Sequence, residues 1–456
     1  MCKFLKGLND FKGLKDPRRY KTVYQNYYNM LQEACRKEIA DLIKREVVPA
    51  MGCTEPVAVS LCTAKAVELL GAEPERIDVL LSPNVLKNAM GVGIPGTGMI
   101  GLPIAIALGA VVGKSEYQLE VLKDTTPEAV AKGREWIDQG RISVGLKEGG
   151  CDVLYIEVRA TAEGHTATAI ISGAHTNFVY LAKDEGVLTD LRTPIKGVVE
   201  KHAIELNLRM VWDYATTSPI DELRYILLSR DLNKAIAEES FRSEWGHCLG
   251  RTLRSHTNLG LMGDSTFARI LAYTSAACDA RMGGAQLPVM SNSGSGNQGI
   301  SATLPVVVYA EEKGHTEEEL IRALTLSHLT VIYIKQSLGR LSALCGCVVA
   351  STGSSCGITY LMGGGFGEVT MAVKNMVATL TGMVCDGAKP SCALKVSSGV
   401  STAVMSAVMA MEHHGVTGLE GVIDDDVDKS IRNLTAIGAR AMGETDRMIL
   451  DIMTHK

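Results

Sequence analysis

The sequence is short of aromatic residues, of net charge and of long apolar runs, and each shortage excludes a class of protein. Aromatic residues make up 5% of the chain, whereas 46 residues are glycine, which predicts closely packed helices and backbone-rich binding loops. The net charge of −5, with both signs mixed, gives no support for a nucleic-acid or membrane-surface partner. The longest apolar tract that we identify, Met99–Val112, contains two glycines and a proline and is shorter than the roughly 18 residues of a membrane span.

The N-terminus also lacks the sustained apolar segment of a secretory signal. The chain has 12 cysteines, but their spacing is not that of a small secreted disulfide domain. We therefore expect a cytoplasmic protein whose thiols are ligands, catalysts or core residues.

The hydrophobic patterns predict an α+β fold, with a mainly helical catalytic domain and a smaller mixed domain that contains an antiparallel sheet. We divide the chain into an N-terminal helical segment that carries Cys53 (1–75), a mixed α/β domain (76–195) and an all-helical, cysteine-rich domain (196–456). The clearest early helix is Tyr28–Val48. A strand is predicted at Ile77–Ser82 and an antiparallel meander at Cys151–Arg159, Thr166–Ile171 and Asn177–Leu181.

Apolar residues at helical spacing from Val57 to Val67 predict a helix that follows the segment Gly52-Cys-Thr-Glu-Pro56. Thr54 is a good candidate for the N-cap. Cys53 would then lie just ahead of the helix, where the helix dipole lowers the pKa of a thiol. Cys62, inside the same helix, is expected to pack as a small buried hydrophobe.

Two glycine-rich segments are candidates for anion binding. Gly91-Val-Gly-Ile-Pro-Gly96 matches GxGxxG, but it does not directly follow a strand and it contains Pro95, so a dinucleotide site is disfavoured. A loop that presents N–H groups to a small anion, or close helix packing, are the remaining interpretations. Ser291–Gly299 is polar enough to suit a carboxylate. His165 and His175 flank the central strand of the meander, in surface turns or in contact with a substrate or regulator.

Five cysteines are grouped in the C-terminal third of the chain: Cys345, Cys347, Cys356, Cys385 and Cys392. Paired C-x2-C knuckles, which zinc would favour, and a C-x-x-C redox motif are both missing. An iron–sulfur cluster accepts thiolates at variable spacing. Three protein thiolates would leave one iron open as a Lewis acid. Buried, inert thiols remain the alternative.

Several segments, in order, resemble the L-cysteine desulfidase family, which is related to the iron–sulfur L-serine dehydratases. They are Gly52–Pro56, Pro83-Asn-Val-Leu-Lys-Asn88, Ser293–Gly299, Leu344-Cys-Gly-Cys347 and Cys385-Asp-Gly-Ala-Lys-Pro-Ser-Cys392. The similarity runs from about Cys53 to the C-terminal region and favours the desulfidase branch over the dehydratase branch. Some serine dehydratases end in a cysteine that reaches the open iron; this chain ends Ile452-Met-Thr-His-Lys456, so such capping is not expected.

The resemblance implies a [4Fe–4S] cluster, no pyridoxal phosphate, and β-elimination from a small L-amino acid to give pyruvate and ammonia. It assigns the cluster ligands to Cys345, Cys385 and Cys392, with Cys347 as an alternative to Cys345, and the catalytic base to Cys53. By motif position, the candidates for substrate binding are Thr54, Glu55, Asn84, Lys87, Asn88, Ser293, Gly294, Ser295, Gly296, Asn297 and Gln298. A homo-oligomer is also expected.

Two rival functions remain at this point. A pyridoxal-phosphate lyase would explain Ser295-Gly-Asn-Gln-Gly299 as a phosphate loop, but it needs a Schiff-base lysine upstream, and no lysine lies between Lys234 and Lys313. A non-enzymatic iron–sulfur protein would need four protein ligands and would leave Cys53 unexplained.

Overall fold

The computed structural model describes residues 33–192, 204–255, 260–339 and 341–455. Within these ranges the predicted α+β fold is confirmed, because helices dominate and one six-stranded sheet contains strands from between residues 76 and 190. The first helix, α1, covers residues 33–46. It confirms most of the predicted helix Tyr28–Val48, whose first residues lie outside the described ranges.

The six-stranded sheet has the strand order β3-β2-β4-β5-β6-β7, in which only β2 and β3 are parallel. Its antiparallel part confirms the predicted meander, but β3 and β7 were missed, and residues 151–154 form a loop ahead of β4 rather than part of it. The strands are β2 (Arg76–Leu81), β3 (Ile142–Leu146), β4 (Tyr155–Ala162), β5 (His165–Ser172), β6 (Phe178–Lys183) and β7 (Gly186–Asp190).

Alternate residues of the central strands form a buried face, as in Val79, Val158 and Ala169, which are paired in register. Helix α2 (Thr54–Leu70) covers this face, and Cys62 Sγ lies 3.3 Å from the carbonyl oxygen of Ala169. Cys62 is fully buried, which confirms its expected packing role. The helix that carries the predicted base is therefore fixed against the sheet. Each large aliphatic side chain on this face contributes about 1.5–3 kcal/mol by its burial.

Three further helices complete this part of the fold: α3 (Pro83–Ala89), α4 (Leu102–Val111) and α5 (Pro127–Asp138). Because α2 contacts both the sheet and α4, it lies inside the same packed unit as the strands. The division of the chain at residue 75 stays a prediction.

The C-terminal part is helical except for the short strand β8 (Pro288–Met290), so the expectation of an all-helical region is wrong at that point. Its helices are α6 (Leu208–Thr217), α7 (Ile220–Leu223), α8 (Leu227–Arg242), α9 (Leu249–Arg254), α10 (Thr266–Gly283), α11 (Gly296–Lys313), α12 (Glu317–Leu338), α13 (Gly346–Leu361), α14 (Phe366–Leu380), α15 (Cys392–Met411), α16 (Val427–Ala436) and α17 (Gly443–Thr454).

Small residues allow these helices to approach closely, as the composition predicts. A Cβ at Gly353 of α13 would lie 2.4 Å from the carbonyl oxygen of Ser327 on α12. Such a contact requires glycine, because no side chain fits at that distance.

One described helix, α15, is long and apolar enough to cross a membrane by length and composition alone, and 44% of its apolar window is buried. It packs against α10, α13 and α14. Burial against neighbouring helices is what a core helix requires, and a core helix passes the same test of length and hydropathy.

Two short backbone pairings bring distant motifs together. Strand β1 (Pro49–Met51) pairs antiparallel with β8, with Ala50 opposite Val289. This ribbon places the start of α2 beside the loop that precedes α11. A second pairing, between Leu344 and Val384, brings the segments of Cys345 and Cys385 side by side.

Candidate active site

A cavity of about 100 Å³ lies where α2, the loop before α11 and the cysteine-bearing segments meet. It gathers the predicted base and all three predicted cluster ligands, although they are far apart in the sequence. Its lining includes Cys53, Thr54, Glu55, Asn88, Arg281, Ser295, Asn297, Gln298, Lys335, Cys345, Cys347, Cys385, Cys392 and Lys395.

Cys53 itself, rather than Thr54, occupies the N-cap position of α2, so the predicted cap is wrong by one residue. The Cys53 thiol is 3% exposed and donates a hydrogen bond to Glu55 Oε2 at 3.0 Å. Burial, followed by the charge of Glu55, raises the pKa of Cys53 well above its ordinary value, although Arg281 opposes the shift. The expected lowering is therefore wrong, since desolvation and the carboxylate outweigh the helix dipole.

Glu55 is a buried carboxylate in contact with several polar groups. Its Oε2 accepts from Cys53 and from the hydroxyl of Thr54 at 3.1 Å, and its Oε1 accepts from Asn88 Nδ2 at 3.3 Å. His175 Nε2 is 4.0 Å from the same Oε1. Burial raises the pKa of Glu55, but the opposing effects of His175, the Cys53 hydrogen bond and Arg281 leave it below its ordinary value. Glu55 is therefore a resident anion beside the thiol.

Arg281, at the end of α10, is a buried cation that sequence reasoning missed. It is 3% exposed, and its two terminal nitrogens each donate at 2.9 Å, to Asn297 Oδ1 and to the carbonyl oxygen of Gly52. Among the described residues, its Nε has no hydrogen-bond partner. A Cβ at position 296 would meet this Nε at 2.2 Å, so Gly296 makes room for the guanidinium.

The loop before α11 and the first turn of α11 contribute three predicted substrate-binding residues to the cavity: Ser295, Asn297 and Gln298. The other three lie beside it. Ser293 donates to Asn292, the carbonyl of Gly294 accepts from the Thr54 hydroxyl at 2.8 Å, and Gly296 packs against Arg281. The loop thus also fixes the start of α2.

Two residues that were predicted to bind substrate, Lys87 and Asn84, instead contact Asp446 in the structure. Lys87, which is 1% exposed, forms an ion pair with Asp446 of α17 and donates to the carbonyl oxygen of Cys385 at 3.2 Å. Asn84 also donates to Asp446. Neither lines the cavity. They connect α3 to α17, and Lys87 also reaches the Cys385 turn.

The three predicted cluster ligands lie on backbone that is well fixed. Cys345 caps α13 and Cys392 begins α15. The amide of Cys345 donates to Met383 at 2.9 Å and that of Cys385 donates to Ala343 at 2.7 Å. Gly387, in the turn after Cys385, has a φ of +87° and packs against the carbonyl of Lys87.

The thiol of Cys345 lies close to the thiols of Cys347 and Cys385. Cys347 Sγ donates to Cys345 Sγ at 3.3 Å and also lies 3.3 Å from Met383 Sδ. Cys345 and Cys385 also lie close enough for each thiol to shift the pKa of the other. All described cysteines are free thiols. Cys356, by contrast, is buried in α13 outside the cavity and donates to the carbonyl of Thr352.

The donor set fits an iron–sulfur cluster in its chemistry. In the described part of the chain, no three His, Cys, Asp or Glu side chains surround one point as ligands of a single metal ion. Thiolates that hold a cluster bind different irons, so they need to line a cavity rather than converge. Buried Lys87 and half-buried Lys395 lie close enough to Cys385 to act on its charge, and would offset the negative charge of several thiolates.

The sequence left two interpretations of the glycine segment at 91–96, an anion-binding loop and close helix packing. The structure shows close packing against a helix. A Cβ at Gly93 would lie 2.5 Å from the backbone carbon of Gly283, at the end of α10. The segment therefore holds the helix that carries Arg281.

Besides Arg281, sequence reasoning missed two residues of the site, Cys278 and Lys335, and it left the role of His175 open. His175 is 7% exposed and lies next to Glu55, so its surface-turn interpretation is wrong, whereas His165 is exposed at its turn and contacts Asp184 at 2.9 Å. Cys278 of α10 is fully buried near Cys392 and Cys345. Lys335 lines the cavity from α12. Only the position of His175 at a turn after a strand was a usable signal.

Comparison with known proteins identifies the family of this chain. The family model of the serine dehydratase alpha chain matches residues 116–451. A relative named UPF0597 protein from Bacteroides thetaiotaomicron is 68% identical over 424 residues, covering 93% of this chain and 99% of the relative. Proteins of the same name from Porphyromonas gingivalis and Oleidesulfovibrio alaskensis are 52% and 47% identical, covering 93% and 91% of this chain and 100% and 97% of those relatives.

The chain belongs to the serine dehydratase alpha chain family. This confirms the resemblance to the iron–sulfur serine dehydratases at the level of the family, which is generally iron–sulfur dependent, and it indicates a lyase. The names of the relatives specify no substrate.

Proposed function

We propose that this protein is a [4Fe–4S]-dependent lyase that eliminates sulfide from L-cysteine and yields pyruvate and ammonia. The observation that carries the proposal is the single cavity that brings Cys53 to the thiols of Cys345, Cys385 and Cys392. L-Serine, with loss of water by the same route, is the alternative substrate, and the family description supports it. The cysteine motif from Cys385 to Cys392 supports L-cysteine through its resemblance to the desulfidases.

The cluster ligands in this proposal are Cys345, Cys385 and Cys392. The proximity of Cys345 to Cys385, which is enough for each thiol to shift the pKa of the other, supports Cys345 as the third ligand, with Cys347 as the alternative. When bound, a cluster with three protein thiolates supplies a Lewis-acidic iron for a substrate oxygen.

The chain's own residues would bind the substrate and move its protons. Arg281, a buried cation whose Nε has no hydrogen-bond partner among the described residues, suits the substrate carboxylate. Ser295, Asn297 and Gln298 offer polar groups beside it. Cys53, as a thiolate, would remove the Cα proton, and the electron pair left on Cα would expel the β-substituent. The released aminoacrylate hydrolyses to pyruvate and ammonia.

The proposal also includes a cytoplasmic protein that acts on a small molecule and binds neither nucleic acid nor membrane, in keeping with its mixed charge. A homo-oligomer is supported by the exposed apolar side chains of Leu394, Met405, Val408 and Met409 on α15, since contact with another copy would cover them.

The experiment is anaerobic reconstitution of the protein with iron and sulfide, followed by assays of pyruvate and free sulfide with L-cysteine and of pyruvate with L-serine. We expect equal amounts of pyruvate and sulfide from L-cysteine, and a lower kcat/KM for L-serine. A higher kcat/KM for L-serine would make the protein a dehydratase, and no turnover of either amino acid would overturn the proposal.

Replacement of the base tests its role separately. Cys53→Ala should keep the visible absorbance of the cluster and lower kcat by at least about 100-fold, the lower range for loss of a general base. Cys62→Ser is the matched control, because Cys62 lies on the same helix and is buried away from the cavity. Near-full activity of Cys53→Ala would refute the assignment.

A further inference from the structure

The base in the proposed function begins as a thiol whose proton already points at a carboxylate. Cys53 Sγ donates to Glu55 Oε2 at 3.0 Å, and both side chains line the cavity. Before Cys53 can accept a proton from a substrate, it has to lose its own. Glu55 is the acceptor within hydrogen-bond distance.

The other oxygen of Glu55 faces a residue of the sheet region. His175, in the connection between β5 and β6, lies with Nε2 at 4.0 Å from Glu55 Oε1 and is 7% exposed. Asn88 of α3 donates to the same oxygen at 3.3 Å. The carboxylate is thus held between the thiol on one side and an imidazole and an amide on the other.

We propose that Cys53 and Glu55 form a proton relay in which Glu55 takes the thiol proton of Cys53, and that His175 keeps Glu55 ionised, and therefore ready to accept that proton, between turnovers. This inference rests on the proposed function for its role in turnover, but it concerns groups that exist without substrate or cluster. His175 is a positioning residue here, because it acts on Glu55 rather than on the reacting atoms.

The relay balances over one turnover. The S–H bond of Cys53 breaks, and its proton moves to Glu55. The thiolate then takes the Cα proton, and the electron pair of the broken C–H bond expels the β-substituent as hydrosulfide. Glu55 gives its proton to hydrosulfide, which leaves as hydrogen sulfide. Cys53 is a thiol again, and Glu55 is a carboxylate again.

The charged groups around the relay are few among the described residues. Glu55 is acted on by His175 and Arg281, and Cys53 by Glu55 and Arg281. Lys335 of α12 and Lys395 of α15 line the same cavity, together with the thiols of the proposed cluster ligands. Arg281 is present in every variant below, so differences between variants report Glu55 and His175.

The test uses the reactivity of Cys53 in the cluster-free full-length protein, so it does not depend on catalysis. The rate of alkylation by iodoacetamide is measured from pH 3 to 10 and assigned to Cys53 by mass spectrometry of its peptide. If Glu55 accepts the proton, the wild-type rate should be level around neutral pH and fall at acid pH, where Glu55 becomes protonated. Glu55→Gln should lose the level region, and its rate should rise only toward alkaline pH.

His175 makes a second, independent prediction. His175 lowers the pKa of Glu55, so its removal should raise that pKa. In His175→Gln the acid fall of the rate should therefore move to higher pH. His165→Gln, the control at the other end of β5, should leave it in place, because His165 is exposed and contacts Asp184 instead.

Each outcome of these measurements either supports or refutes the relay. A level neutral region in Glu55→Gln, or an unmoved acid fall in His175→Gln, would overturn it. If Glu55→Gln does not fold, Glu55→Asp replaces it and should retain the acid fall with a lower plateau; loss of the acid fall would contradict the relay. Failure of turnover with both amino acids would refute the proposed function but would leave these rates unchanged.

Discussion

The two sides of the cavity differ in the contacts that hold their functional side chains. On the side of α2 and the sheet, the Cys53 thiol donates to Glu55, and His175 lies 4.0 Å from the other oxygen of that carboxylate. On the helical side, Cys345, Cys385 and Cys392 lie at helix starts and on a paired backbone, with lysines nearby. The first side suits acid–base chemistry and the second suits a cofactor. Substitutions on the first side should therefore lower turnover without loss of the cofactor, whereas substitutions of the thiols on the second side should abolish both.

The largest effect is expected on the helical side of the cavity, which carries the three proposed cluster ligands. Cys385→Ser and Cys392→Ser should each lose the visible absorbance of the reconstituted cluster and all measurable turnover, since hard oxygen ligands replace thiolates poorly. Cys356→Ser is the control, because this thiol is buried outside the cavity and its hydrogen bond to Thr352 suits a hydroxyl. A serine variant that kept its iron content and activity would remove that residue from the ligand set.

The ion pair between Lys87 and Asp446, next to the helical side of the cavity, should make the largest contribution to the free energy of unfolding. Lys87→Met leaves Asp446 and the carbonyl of Cys385 without their buried cation, and should lower the free energy of unfolding by about 3–5 kcal/mol. Urea unfolding of the cluster-free protein measures it. Arg447→Ala is the control, since its ion pair with Glu444 on the same helix is exposed and such pairs contribute about 0–1 kcal/mol. Equal losses would contradict a structural role of Lys87.

Arg281 lies between the two sides and should affect substrate binding. Arg281→Met should lower kcat/KM by about 10- to 100-fold, mostly through KM, because a charged hydrogen bond is worth about 1.5–3 kcal/mol. Arg281→Lys keeps the charge and should recover part of the loss. Steady-state kinetics with the reconstituted enzyme measures both. An effect confined to kcat would place Arg281 in the chemistry rather than in binding.

The smallest effect concerns the support of the loop before α11. His328 is fully buried, and burial lowers its pKa to about 3. Its Nδ1 accepts from Asn292 at 3.1 Å, so Nε2 donates to Thr303 at 2.9 Å. Because only the unfolded chain binds the proton between the two pKa values, stability should fall below about pH 6.5, by about 2 kcal/mol at pH 5.

Urea unfolding at pH 7 and pH 5 measures this loss. His328→Gln should be less stable at pH 7 but should lose less on acidification than the wild type. An equal loss on acidification in both proteins would show that other groups cause it.

The sequence predicted the parts of the site but not how they face each other. The spacing from Val57 to Val67 located α2, and the cysteine motif located the thiol segments. The β1–β8 ribbon, three residues in each strand, carries no pattern that a sequence could reveal, yet it brings Cys53 to the loop before α11. Long-range packing likewise determined the partners of Lys87 and Asn84, since Asp446 lies more than 350 positions away.

The pKa of Cys53 was predicted in the wrong direction for a similar reason. A helix start was visible in the sequence, but the complete burial of the thiol and the orientation of Glu55 toward it were not. Arg281 was missed and the role of His175 was left open, because a single arginine at a helix end and a single histidine in a turn are ordinary in any sequence.

The central claim is that both sides of the cavity serve one elimination. The most direct test is to load wild type and Cys53→Ala with increasing amounts of cluster, and to measure visible absorbance and pyruvate formation from L-cysteine. We predict that absorbance rises equally in both proteins, while pyruvate formation rises in proportion to cluster content only in the wild type. Pyruvate formation that rose equally in Cys53→Ala, or that was independent of cluster content in the wild type, would contradict the account.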